Sequence, residues 1–132
     1  MKLYIGKKDF KKESREVQVA IVHAANVLYE RIKIYEDQGV SFQRIFNDDK
    51  VKYDKHGEFF TFKCQKSKVQ LRILYTYLIY NQEPIMLIAD YFVKKKNNKN
   101  YIKKFDYVNK WDPMCVLKSS FNVDYLCYMH EK

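Results

Sequence analysis

The chain has 132 residues, 47% of them hydrophobic and 17% aromatic, which is enough to bury one core and too much for a disordered chain despite 31% charge. A formal net charge of +9 directs attention to anionic partners: nucleic acid, an acidic protein segment or a membrane surface. Three glycines and two prolines leave little room for flexible linkers, so a single domain is expected over 1–132, with a core to about residue 111 and an extension over 112–132.

In chain order, Lys2–Ile5 reads as a short edge strand. The opening residues Met1–Lys8 lack the apolar core of a signal peptide, and no later run is long enough to span a bilayer, so a cytoplasmic protein without membrane association is expected. Asp9 or Ser14 can cap a helix that stops near Gln38-Gly39, where glycine suits the left-handed end. Val17, Ile21, Ala24, Leu28, Ile32 and Tyr35 recur at helical spacing as its apolar stripe. Val19 and Val22 lie roughly opposite, so the helix is packed on two sides or offers a groove to a partner helix.

Residues 41–56 read as polar and irregular, a turn-rich entry to a sheet. Strands follow over Glu58–Lys66, Val69–Tyr80 and Ile85–Val93, with Asn81-Gln82-Glu83-Pro84 as a four-residue turn. Leu71, Ile73, Tyr75 and Tyr77 fall on one face; Leu74, Leu78, Leu87, Ala89 and Tyr91 fall on the other. A sheet apolar on both sides must be covered on both. The helix covers one face, and the apolar stretches Met114–Leu117 and Phe121–Met129 are the candidates for the other. The expected class is therefore α/β (α+β): an N-terminal helix or helical hairpin on a small, mostly antiparallel sheet, with an extra C-terminal segment.

The last strand runs into Lys94-Lys95-Lys96-Asn97-Asn98-Lys99-Asn100-Tyr101, then Lys103-Lys104: six lysines and no acidic residue in eleven positions. If Tyr80 pairs with Ile85, Arg72 stands opposite Val93 and Lys95 lies one diagonal away on the same face. If Ser67-Lys68 is a two-residue loop, Lys63 stands opposite Arg72. Cations from three strands then converge at one end of the sheet. Like charges repel, so such a cluster is expected to hold an anion. A slip of one residue would turn Lys63 away and bring Lys66 or Lys68 into its place.

The cysteines Cys64, Cys115 and Cys127 form no even-numbered framework and read as reduced thiols. Cys127-Tyr-Met-His130 has half the spacing of a metal site but no second ligand pair, so neither a metal nor any other cofactor is expected.

Leu71-Arg72-Ile73-Leu74-Tyr75 and Phe92-Val93-Lys94-Lys95-Lys96, in that order on successive strands, resemble the RelE/ParE toxin superfamily, nearest its HigB-like and phage-derived branch. The likeness covers roughly Phe10 to Lys104. It implies a RelE-like fold and a type II toxin–antitoxin system, with a cognate antitoxin as partner. It also implies ribosome-dependent cleavage of mRNA without a metal. Arg72 then matches the arginine at the scissile phosphate, Lys95 a basic residue at the strand exit, Tyr101 the tyrosine at the attacking hydroxyl, and Lys63 a lysine of the preceding strand. Lys66, Lys68, Lys94, Lys96, Lys99, Lys103 and Lys104 are the expected RNA-binding set. The histidine that HigB-like members place near the site has no counterpart in His23, His56 or His130. The alternatives are a ParE-like inhibitor of DNA gyrase, or a basic nucleic-acid-binding phage protein of the same fold that does not cut.

Overall fold

The computed structural model describes residues 2–40, 54–66, 68–94 and 107–128. A long helix lies on a six-stranded sheet, as the α+β expectation requires. The strands are β1 (Lys2–Ile5), β2 (Asp54–His56), β3 (Phe59–Lys66), β4 (Val69–Tyr80), β5 (Glu83–Lys94) and β6 (Phe121–Val123). Their order across the sheet is β2-β3-β4-β5-β1-β6. Only the β1–β5 pairing is parallel.

Helix α1 spans Arg15–Asp37. Of the two candidate caps, Ser14 is the one used: its hydroxyl accepts from the Val17 amide at 3.3 Å. Asp9 instead sits in a short 3₁₀ turn, Lys8–Lys12. The helix closes at Gln38, and Gly39 takes φ of 74°, the left-handed stop that glycine permits. Ile21, Ala24, Leu28 and Ile32 are buried against Leu71, Ile73, Tyr75 and Tyr77 of β4 in one core cluster. Val22 is buried in that same cluster, whereas Val19 is only half-buried.

Three expectations are corrected. Lys2–Ile5 is an interior strand, because β6 from the C-terminal segment pairs along its outer side. The residues before Gly57 are not simply an entry turn, since Asp54–His56 form the edge strand β2. The turn after β4 has two residues rather than four: Tyr80 pairs with Glu83, and Asn81 and Gln82 both take positive φ, 51° and 63°. That is a primed hairpin turn, whose twist matches the strands. Pro84 is tolerated inside β5 because pairing with β1 begins one residue later, at Lys2↔Ile85.

Among the described residues, the second face of the sheet is covered by two short segments, a 3₁₀ turn over 107–110 and helix α2 (Pro113–Ser119). Phe59, Leu74, Ile85, Leu87, Val108 and Leu117 make its core. After β6 the chain returns to the α1 side through a 3₁₀ turn, Tyr125–Tyr128. There Arg15 donates to the Cys127 carbonyl at 3.3 Å, and Tyr128 donates to Gln18 Oε1 at 3.1 Å. The C-terminal segment thus supplies a strand, a covering helix and a brace on α1.

Candidate nucleic-acid interface

The basic end of the sheet is built by register. Lys66 pairs with Val69 through a tight connection, so Lys63 stands opposite Arg72, as expected. On the other side of β4 the pairing departs from expectation. Between Tyr75↔Ile88 and Leu74↔Asp90 strand β5 holds one extra residue, Ala89, a β-bulge. Together with the two-residue turn, this puts Arg72 opposite Phe92 rather than Val93. The next rung of that row is Gln70↔Lys94. The assumed register that set Lys95 diagonal to Arg72 is therefore not the observed one.

The bulge also reverses the faces of β5 beyond it. Tyr91, expected beside Leu74 and Leu87, packs in the α1-side cluster with Ile73 and Tyr75. Its hydroxyl donates to Glu13 Oε1 at 2.9 Å, and the Lys7 ammonium lies 4.6 Å from its ring centroid. Lys7 also bridges Asp90 at 3.1 Å. Burial first, then Glu13, pushes the Tyr91 hydroxyl well above the ordinary phenol range.

Lys63 is exposed, whereas Arg72 is buried, with 2% of its surface accessible. The two cations on one rung thus differ in position: Lys63 is open to solvent, whereas the Arg72 side chain lies beneath the surface. Lys68 is exposed at the β3–β4 connection, and Lys66 is half-buried on the α1 side. There its charge and, more strongly, burial hold the His23 imidazole below its usual range, with Glu30 pulling the other way. Lys94 ends β5. Lys95, Lys96, Lys99, Tyr101, Lys103 and Lys104 lie outside the described residues.

The cysteines are free thiols. Burial raises Cys64, only partly opposed by Arg31, the Gln65 amide and Lys66, and a hydrogen bond to Asp124 raises Cys127. Neither has the depressed pKa of an activated nucleophile.

Sequence reasoning missed one feature of this face. Between the bulge and α2 lies a cavity of about 520 Å³. Gly6 and Ala89 form its floor, and Trp111, Lys110, Cys115 and Ser119 stand around it. Trp111 is 39% exposed, and Tyr107 packs edge-on against it with ring centroids 5.2 Å apart. The available signal was the aromatic pair Tyr107/Trp111, four residues apart, which includes the only tryptophan of the chain. Comparisons with family models, curated proteins and solved structures find no match to this chain.

Proposed function

We propose that this chain is a toxin of the RelE/ParE kind, binding RNA at the lysine-bearing end of its sheet and cutting ribosome-bound mRNA in the cytoplasm under the control of a cognate antitoxin. The observation that carries the reading is the Lys63↔Arg72 rung, adjacent to the Gln70↔Lys94 rung at the exit of β5. Three neighbouring strands bring cations to one end, in a chain of net charge +9.

In the reaction proposed, a ribose 2′-oxygen attacks the adjacent phosphorus and the bond to the 5′-oxygen of the next nucleotide breaks. The products are a 2′,3′-cyclic phosphate and a 5′-hydroxyl. Negative charge builds on the phosphoryl oxygens, and cations held in place beforehand stabilise it. Lys63 meets those oxygens and Arg72 supplies field from below. Lys95 and Tyr101 keep the roles that the resemblance implies: Tyr101, as the phenolate, takes the proton of the attacking hydroxyl, and water protonates the leaving 5′-oxygen.

The test is a reconstituted translation reaction with mapping of 5′ ends. New ends inside coding regions are expected, and intact message at excess protein overturns the reading. Arg72→Met keeps side-chain bulk in a buried site, and circular dichroism checks that the fold persists. Cleavage is expected to fall by about 100-fold or more.

The burial of Arg72 favours a second reading, a basic nucleic-acid-binding protein of the same fold that does not cut. It predicts affinity that falls steeply with salt and message that stays whole. Blocked supercoiling with intact message would instead identify the gyrase-directed alternative.

A further inference from the structure

We infer that the cavity beside Trp111 is a pocket for a single unpaired nucleobase, placed to hold one base of the RNA strand whose backbone lies on the basic end of the sheet. The inference rests on the RNA-directed reading above and extends it to the form of the substrate. Its volume of about 520 Å³ falls within the usual range for ligand pockets.

Two of the lining residues, Gly6 and Ala89, are small. A side chain at Gly6 would begin 3.2 Å from Val116 Cγ1, and Ala89 is the bulged residue of β5. The wall is Trp111, an aromatic surface of the kind on which bases of every type stack. Tyr107 braces that ring edge-on.

The polar groups around the pocket have a consistent character. The Asp112 carboxylate is anchored, with Oδ1 accepting from the Met114 amide at 3.1 Å and Oδ2 lying 3.7 Å from the Cys115 thiol. The Ser119 hydroxyl spends its proton on the Val116 carbonyl at 3.1 Å, which leaves it an acceptor. Two acceptors near a stacking surface favour bases that carry an amino group, so adenine, cytosine and guanine are preferred to uracil. Lys110 adds a cation suited to the phosphate of the same nucleotide.

Position joins this pocket to the basic end. Ala89 packs in the same-face cluster as Phe92, the residue opposite Arg72, and lies three residues before it on β5. That separation is roughly 10 Å along a strand, short enough for one RNA chain to reach both.

Trp111 is the only tryptophan, so its fluorescence reports on this pocket alone. The experiment titrates the full chain with AMP, then UMP, and measures a labelled oligoadenylate by anisotropy. Saturable quenching by AMP is expected, with UMP several-fold weaker. Ser119→Phe fills the cavity while keeping the reporter, and is expected to abolish quenching. Trp111→Leu is expected to weaken oligoadenylate at least about fivefold with the fold intact by circular dichroism. Oligoadenylate that binds while emission and both variants stay unchanged overturns the pocket and leaves the RNA-directed reading standing. Quenching by AMP without any binding of oligoadenylate supports the pocket and removes that reading instead.

Discussion

Among the described residues, one continuous helix covers the first face of the sheet, and two short segments share the second. On the α1 side, buried residues from α1 and five strands make a single cluster around Leu28, Ile32 and Tyr75, closed by tyrosine–carboxylate bonds at Tyr77–Glu36 and Tyr91–Glu13. On the α2 side the core is smaller, a cavity lies beside it, and an arginine is buried within the face. A long helix can bury its whole stripe against a sheet, whereas a 3₁₀ turn and a helix of seven residues cannot. The first face therefore carries the stability, and the second has room for a site.

The same truncation on each face tests this most severely. Leu28→Ala removes a fully buried side chain from the large cluster and is expected to cost about 4 kcal/mol, near the upper end for such changes. Leu117→Ala, beside the cavity and partly accessible, is expected to cost about 2 kcal/mol. Urea midpoints at unchanged slope give both values, and equal losses would break the comparison.

Gly57→Ala probes how the second face is held to the sheet. Gly57 has φ of 62°, and a Cβ there would lie 2.5 Å from the Asn109 carbonyl oxygen. The backbone conformation and the collision both oppose a side chain, so a loss of about 2 kcal/mol or more is expected. A loss below about 0.5 kcal/mol would mean that the 107–110 turn yields freely.

Acid sharpens the comparison from the α1 side. The folded state keeps the His23 pKa below its unfolded value near 6.5, so the unfolded chain binds the proton more readily. Stability from this group is complete above about pH 6.5 and declines as pH falls below it. His23→Gln is expected to flatten that part of the profile in thermal melts taken between about pH 7.5 and 5.

The smallest effect on stability belongs to Lys63→Ala, an exposed change expected to shift it by no more than about 0.5 kcal/mol. Its effect lies in binding: the slope of log affinity for RNA against log salt is expected to fall by about 1. An unchanged slope would remove Lys63 from the interface.

Much of this architecture follows from local pattern. The stripe from Val17 to Tyr35, the span Val69–Tyr80 and the apolar character of both sheet faces come from spacings of 3.6 and 2 residues, which depend on near neighbours. The facing of Lys63 and Arg72 was also legible, because one short connection sets it.

What the residues could not settle alone was decided at a distance. The bulge at Ala89 turned Tyr91 toward α1 and placed Phe92 against Arg72, although nothing in Ile88-Ala89-Asp90 departs from an ordinary strand. The inner position of β1 required β6, more than a hundred residues later. The burial of Arg72 and the pocket at Trp111 likewise arise from packing on the second face. Alternation along a strand assigns faces only while the ladder stays in phase, and phase is a property of paired segments rather than of either one.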